Sequence, residues 1–137
     1  MRLEYSVTTT HTPDALREIL SDPNFVLPKI FRSIKEIRSE GSSFSGTANY
    51  LGIKHYFQGN VYSSYNKVTY VFQIRRDKDS ASGKLTFNIN ADGRLDISLE
   101  YSGFMEKGAT ILLKKWIGSF ISNINEEIRL ERIRRKI

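Results

Sequence analysis

The last third of the chain carries a helical apolar stripe that is too long to be stable by itself. Apolar residues recur every three or four positions from about residue 105 to 135, which is the spacing of one helix face. About thirty residues make a rod on the order of 45 Å long. The stripe consists of Ala109, Leu112, Leu113, Trp116, Ile117, Phe120, Ile121, Ile124 and Ile128. A helix with such a face needs a surface of matching length, and the rest of the chain must supply it.

The preceding sequence predicts a sheet as that surface. Leu3, Tyr5 and Val7 alternate with polar residues, which indicates a first half-buried strand. From about residue 30 to 103 the apolar period is again two, and short connections with turn residues favour antiparallel neighbours. The six strands predicted in this region are 31–39, 43–51, 54–63, 67–76, 83–90 and 94–102.

Two helix starts separate the first strand from the others. Thr12-Pro13-Asp14 combines a capping hydroxyl, a proline at the first helical position and an acid in the first turn. Asp22-Pro23 repeats the signal and opens a second helix. Pro28 should make that second helix brief or broken.

Turn chemistry predicts how neighbouring strands face each other. A two-residue turn at Gly52-Ile53, with glycine first as a type II′ turn prefers, places Tyr50 opposite His55 and Gly46 opposite Gly59. The same register places Ala48 opposite Phe57. One face of this hairpin therefore changes from polar aromatic side chains to no side chains at all.

Two other connections set the remaining registers that bear on the core. A turn at Tyr65-Asn66 places Gly59 beside Phe72. At Asp92-Gly93, a three-residue loop with Gly93 in the left-handed conformation pairs apolar residues with each other, whereas a two-residue turn pairs them with polar ones. We prefer the three-residue loop.

The composition fits one folded domain over residues 1–137. The chain is 39% hydrophobic and 12% aromatic, and it has no cysteine, which excludes disulfides, thiolate zinc sites and a cysteine nucleophile. No stretch approaches the roughly 20 apolar residues of a membrane span, and the charged N-terminus is unlike a signal peptide. We expect a cytoplasmic protein without stable membrane insertion. The net charge of +6 favours anionic partners in general.

The order of elements resembles the helix-grip fold of the START and pollen-allergen-like (SRPBCC) superfamily, and in particular a small archaeal branch of it. The resemblance covers essentially the whole chain and rests on that order, on Thr12-Pro13 and Asp22-Pro23, and on the helix from about Met105 to Arg135. It implies an α+β fold in which a curved seven-stranded antiparallel sheet wraps around the long C-terminal helix. It also implies a cavity between the two, which holds a hydrophobic ligand in many members. No catalytic motif of an enzymatic branch is present.

The inner face predicted for the sheet lacks bulk at three positions. Gly46, Ala48 and Gly59 fall together on the concave side. Glycines in a strand also mark bends, and a sheet that grips a helix must curl, so curvature alone is an equally good explanation. The complete predicted ligand-binding set is Gly46, Ala48, Tyr50, His55, Phe57, Gly59, Tyr70, Phe72, Phe87, Tyr101, Ala109, Leu113 and Trp116.

Few polar groups are expected inside that face. His55 and Tyr50 would be close enough to share a hydrogen bond, and a histidine there would recognise a carboxylate or titrate near neutral pH. Tyr70 and Tyr101 also project inward. Ordinary core tyrosines and a core histidine satisfied by a hydroxyl explain the same pattern. We predict no metal site and no cofactor, because no cluster has metal-ligand spacing.

Two basic segments are candidates for anion contacts. Arg75, Arg76 and Lys78 fall at a loop expected near the cavity mouth, although Asp77 and Asp79 alternate with them and indicate a solvated mixed-charge hairpin. The basic tail 129–137 would suit an anionic membrane or nucleic acid, but its glutamates and the helix dipole give it a structural explanation. We do not expect nucleic acid to be a partner.

These observations favour a protein that binds or carries a hydrophobic small molecule, such as a fatty acid or other acyl lipid. An alternative is a cyclase-like or dehydratase-like enzyme that moves protons with Tyr50, His55, Tyr70 and Tyr101. A second alternative is a partner-protein interaction module. We expect a binding protein rather than an enzyme.

Overall fold

A computed structural model describes residues 1–137 and has the architecture that the sequence predicts. A seven-stranded antiparallel sheet in the order β1-β7-β6-β5-β4-β3-β2 packs against two short helices and one long one. The elements are β1 (Arg2–Thr8), α1 (Pro13–Leu20), α2 (Pro23–Ile30), β2 (Ile34–Glu40), β3 (Ser43–Tyr50), β4 (Ile53–Ser64), β5 (Lys67–Arg76), β6 (Asp79–Ile89), β7 (Arg94–Gly103) and α3 (Glu106–Arg135). The helix-grip prediction is confirmed.

Both short helices begin with the predicted caps. The Thr12 hydroxyl accepts a hydrogen bond from the backbone N–H of Ala15 at 3.3 Å. The Asp22 carboxylate accepts one from the backbone N–H of Asn24 at 2.9 Å. These caps satisfy backbone donors that a helix start leaves free. The second helix stays brief, as expected, and includes Pro28 in its last turn.

The hairpin between β3 and β4 corrects one predicted register. Leu51 and Gly52 form the turn, and both have positive φ, at 53° and 76°. Positive φ at both central residues belongs to a type I′ turn, in which glycine takes the second place rather than the first. Tyr50 therefore lies opposite Ile53, and Ala48 lies opposite His55. The predicted pairs Tyr50–His55, Ala48–Phe57 and Gly46–Gly59 are wrong.

The other two predicted registers are confirmed. Residue Gly59 of β4 pairs with Phe72 of β5 across the Tyr65-Asn66 turn. On the far side of the sheet, Leu85 pairs with Leu99, as the three-residue loop requires, and Gly93 has φ of 87°. Apolar residues thus face each other on the inner side of β6 and β7.

The core lies along the middle and the C-terminal half of α3, where Ile117, Phe120, Ile124 and Ile128 are buried. Helices α1 and α2 close this half, since His11 hydrogen-bonds the backbone carbonyl of Asn125 at 2.8 Å and Asp22 pairs with Arg135.

The basic tail is helical to Arg135 and most of its charges are paired within the chain. Arg129 pairs with Glu126 at 2.6 Å, and Glu131 bonds both Arg134 and Arg135. These contacts support the structural explanation of the tail. No helix of the structure combines the length and apolarity that crossing a bilayer requires.

Candidate ligand-binding site

An apolar cavity of about 100 Å³ lies between the N-terminal half of α3 and the sheet. Eleven of its thirteen lining residues are hydrophobic. A second cavity of about 50 Å³ adjoins it toward α2 and shares five lining residues with it. The residues of the larger cavity are Phe31, Ser33, Ala48, Tyr50, His55, Ile74, Tyr101, Phe104, Met105, Ala109, Leu112, Leu113 and Trp116.

The connection from β7 to α3 forms one wall of this cavity and has an irregular backbone. Gly103 has φ of 136° and Met105 has φ of 55°. Met105 occupies the cap position of α3, and no side chain caps the helix there. A Cβ atom built on Gly108, in the first turn, would meet nothing within 4 Å. The start of α3 therefore has no side-chain cap and has open space beside its first turn.

Arg76 of β5 fastens this connection to the sheet. Its guanidinium lies 5.0 Å from the ring centre of Phe104 and donates a hydrogen bond to the sulfur of Met105 at 3.1 Å. A salt bridge to Asp79 at 3.1 Å holds the guanidinium in place. Arg76 is thus the basic residue of the predicted mouth that contacts the cavity wall.

His55 is a buried polar side chain of the cavity, with 6% of its surface exposed. Its Nδ1 lies 3.0 Å from the carbonyl oxygen of Ile53, and because a carbonyl only accepts, Nδ1 carries the proton. The imidazole stacks on Phe104, with ring centres 5.8 Å apart. Burial lowers the pKa of His55, and the nearby charge of Arg76 lowers the pKa further. His55 is neutral at pH 7 as a result, and Nε2 is an acceptor that no other group of the chain occupies.

Tyr101 contributes the second buried polar group. Its hydroxyl donates to the carbonyl of Phe104 at 2.9 Å. Burial raises the pKa of Tyr101, with a further contribution from Glu106, so the phenol stays protonated at neutral pH. Since its proton is committed to Phe104, the oxygen has only acceptor capacity left for the cavity.

The chain is similar to known proteins over nearly its whole length. A protein-family model matches residues 1–137. A solved hypothetical protein from Sulfolobus tokodaii superposes with a TM-score of 0.75 at 28% identity, covering 98% of this chain and 99% of that one. A START superfamily protein from Mycobacterium smegmatis gives 0.65 at 13% identity, with 94% and 97% covered. The ginseng major latex-like protein 151 from Panax ginseng gives 0.53 at 12%, with 88% and 97% covered.

The chain has the helix-grip fold of START and pollen-allergen-like proteins. No curated protein matches its sequence significantly. The cavity lies between the sheet and the long helix, where the resemblance to this superfamily led us to expect it.

The structure of this START-like domain brings most of the predicted site residues together. Those that line the larger cavity are Ala48, Tyr50, His55, Tyr101, Ala109, Leu113 and Trp116. Phe57 and Phe72 line the smaller one. The predicted contact between His55 and Tyr50 is absent, because the corrected register moves Tyr50 beside Ile53 and the imidazole bonds the Ile53 carbonyl instead.

Four predicted residues lie outside both cavities. The rings of Phe57 and Phe44 cover Gly46 and Gly59, so the missing side chains leave no space there. The other two are the aromatic residues Tyr70 and Phe87, which belong to the closed core. They lie edge to face with ring centres 6.4 Å apart.

Several lining residues were not predicted. Ile74 and Leu112 carried a usable signal, since the first lies on the inner face of its strand and the second lies on the helical stripe. Phe31, Ser33, Phe104 and Met105 come from connections between elements, where no periodicity indicates direction. No group of three or more histidine, aspartate or glutamate residues is placed to hold a metal ion.

Proposed function

We propose that this protein binds a small hydrophobic molecule in the cavity between α3 and the sheet. The observation that carries the proposal is an apolar cavity beside the core, since protein interiors are normally close-packed. Such a cavity costs stability, because its lining atoms lack contacts on one side. An apolar ligand restores those contacts. Fold neighbours that include a START superfamily protein agree with this use of the fold.

Fatty acids and other acyl lipids form the more specific version of this proposal. A cavity of about 100 Å³ is smaller than the roughly 300–1,000 Å³ of usual ligand sites, so a long acyl chain requires the start of α3 to move outward. The uncapped start at Met105 and the open surroundings of Gly108 make that segment the one that can move. The carboxylate would then pair with Arg76 after Arg76 releases Asp79.

Filling the cavity from the sheet side tests the proposal. Ala48 lines both cavities, and Ala48→Leu adds bulk there. Asn49→Leu is the matched control, because Asn49 is the next residue of the same strand and is exposed. Binding of decanoate and of an apolar naphthalene dye is followed by calorimetry and by the emission of Trp116, the single tryptophan of the chain. We expect Ala48→Leu to weaken uptake about tenfold or more, and Asn49→Leu to leave it unchanged.

Native mass spectrometry of freshly purified protein, followed by organic extraction, examines the same proposal without an added probe. A stoichiometric bound apolar molecule supports it. Protein that carries no ligand and takes up neither decanoate nor the dye contradicts it. If both probes bind equally to wild type and to Ala48→Leu, the binding site lies elsewhere.

A proton-transfer enzyme is the second candidate, and the convergence of His55, Tyr50 and Tyr101 on one cavity favours it. The free Nε2 of neutral His55 is a base in reach of a bound substrate. Incubation with a small apolar ketone in D₂O, followed by NMR, would show deuterium entering the position beside the carbonyl. His55→Asn should abolish that exchange. If wild type exchanges deuterium only at the uncatalysed rate, the enzyme hypothesis is wrong and ligand binding is the remaining function.

A further inference from the structure

We propose that the ligand of this cavity carries a hydroxyl group that donates a hydrogen bond to Nε2 of His55. This inference rests on the proposed function and specifies the chemistry of its ligand. It keeps the hydrophobic cavity but departs from the fatty-acid version of the proposed function, because it assigns to His55 a preference for a neutral alcohol or phenol over a carboxylate. The sequence alone suggested the carboxylate.

The first step of the argument is the direction of the hydrogen bond that His55 makes inside the protein. Its Nδ1–H is donated to the carbonyl of Ile53 at 3.0 Å, in the strand that carries His55 itself. Only Nε2 is left for a ligand, and the ring lines both cavities. The residue opposite His55 on β3 is Ala48, which has no polar group to offer.

The second step is the charge of the ring. His55 is 94% buried, stacks on Phe104 and has the cation Arg76 as a neighbour. Burial and the charge of Arg76 favour neutral imidazole over imidazolium, and they outweigh the Ile53 hydrogen bond, which favours the charged ring. A neutral ring with its proton on Nδ1 presents a lone pair at Nε2. A carboxylate has no proton to give at neutral pH, so the two lone pairs would repel each other.

The third step is that Tyr101, the other buried polar residue of the cavity, also presents a hydrogen-bond acceptor. The Tyr101 hydroxyl donates its hydrogen bond to the Phe104 carbonyl, so its oxygen can only accept a hydrogen bond from a ligand. Two buried acceptors therefore converge on one apolar space, which suits a hydrogen-bond donor. Such a site discriminates, because a ligand without the donor leaves buried acceptors unpaired.

The aromatic residues that line the rest of the cavity indicate the apolar part of the ligand. Aromatic rings from Phe31, Phe104 and Trp116 line the cavity together with Tyr50 and Tyr101. The two adjoining cavities are comparable with the roughly 150 Å³ that holds one benzene ring in another protein. An apolar molecule with one aromatic ring and one hydroxyl, a substituted phenol, therefore matches both the walls and the polar groups.

Three probes that share a 4-propylphenyl group test this assignment. They are 4-propylphenol, which donates a hydrogen bond, 4-propylanisole, which only accepts, and 4-propylbenzoate, which carries the carboxylate. Affinities are measured at pH 7.5 by calorimetry, and the indole N–H signal of Trp116 in NMR spectra reports whether each probe occupies the cavity. We expect the phenol to bind about three- to tenfold more tightly than the ether, and the benzoate to bind most weakly.

Two variants assign the preference to Nε2. His55→Phe keeps a ring against Phe104 but has no acceptor, and His55→Asn keeps an N–H for the Ile53 carbonyl but has no atom at the ε position. Both should lower phenol affinity to that of the ether while leaving ether affinity nearly unchanged. Circular dichroism melts establish that each variant is folded. Only His55→Phe loses the hydrogen bond to the Ile53 carbonyl. If both variants have the same phenol affinity, the loss of that bond is not the cause of the change.

The outcomes separate this inference from the proposed function. Equal binding of phenol and ether, or tightest binding of the benzoate, overturns the hydroxyl assignment while the hydrophobic cavity stands. If none of the three probes shifts the Trp116 signal and decanoate also fails to bind, both proposals fall. A phenol preference that persists in both His55 variants overturns the role of Nε2.

Discussion

The ring of Phe57 covers Gly46, which lies directly opposite it on the neighbouring strand. A Cβ atom on Gly46 would lie 2.6 Å from the ring carbon Cζ of Phe57 and 2.0 Å from the carbonyl oxygen of Glu36. Gly59 has the same relationship to Phe44, at 2.7 Å. An aromatic ring that packs over a cross-strand glycine supplies the contacts that the missing glycine side chain would have made. The glycines therefore serve the packing of the sheet.

Substitution of Gly46 by alanine should destabilise the fold. The new methyl group meets backbone as well as ring, so we expect Gly46→Ala to lower the free energy of unfolding by about 3 kcal/mol or more, the upper end of overpacking costs. Gly118→Ala is the control, because that helical glycine has open space around it and should raise stability by about 0.5–1 kcal/mol. Urea unfolding measures both. Equal, small effects at the two sites would contradict the packing role.

Tyr70 should matter for stability and not for the ligand. Its hydroxyl donates to the carbonyl of Leu20 at 2.6 Å, and burial raises its pKa far above the ordinary value. Tyr70→Phe leaves that carbonyl buried without a partner, so we expect a loss of about 1–3 kcal/mol. Affinity for 4-propylphenol should not change, since Tyr70 lies outside both cavities. A weaker phenol affinity in this variant would show that Tyr70 contributes to ligand binding.

The lowered pKa of His55 predicts how stability changes with pH. The folded state binds the proton less readily than the unfolded state, in which the pKa is near 6.5. The contribution of His55 is therefore complete above about pH 6.5 and is lost as the pH falls toward the folded pKa. Arg76 is the charged group that acts on this ring, and Tyr101 in the same cavity, whose pKa is raised by burial, stays neutral over this range.

Melting temperatures at pH 7.5 and 5.5 measure that dependence. Wild type should lose more stability between the two values than His55→Asn, which has no titrating ring. An equal loss in both proteins would show that His55 does not contribute. Arg76→Gln removes one cause of the shift and should raise the pKa of His55, followed by NMR titration, whereas the neighbouring exposed Arg75→Gln should not.

The architecture could be predicted because each element carried its own local signal. Thr12 and Asp22 cap their helices because their side-chain oxygens accept hydrogen bonds from free backbone N–H groups. The apolar stripe predicted for α3 matches its buried face. The error at Leu51-Gly52 moved the register by two residues. A shift of two keeps every side chain on its face, so the inner and outer residues were correct although their partners were wrong.

The site was harder to predict than the fold because volume is a tertiary property. A glycine indicates that a side chain is missing, but the sequence does not say whether a ligand or the ring of Phe57 fills the space. Phe104 and Met105 approach the cavity through a connection with left-handed backbone, which no periodic pattern reveals. The direction of the His55 hydrogen bond depends on the Ile53 carbonyl, and side-chain spacing carries no information about it.

Glu131 should hold the C-terminal end of α3 against α2 in a pH-dependent way. Hydrogen bonds from Arg134 and Arg135 lower the pKa of Glu131 to about 2, and Arg135 also pairs with Asp22, the cap of α2. A lowered carboxyl pKa gives stability that is present above the unfolded value of 4.5 and is lost as the pH falls toward 2. We expect Glu131→Gln to lower the free energy of unfolding by up to about 1 kcal/mol at pH 7, with the difference from wild type shrinking below pH 4. Glu126→Gln is the matched control, because Glu126 bonds only Arg129 of the same helix. Equal losses in the two variants would mean that the link to Asp22 adds nothing beyond a surface ion pair.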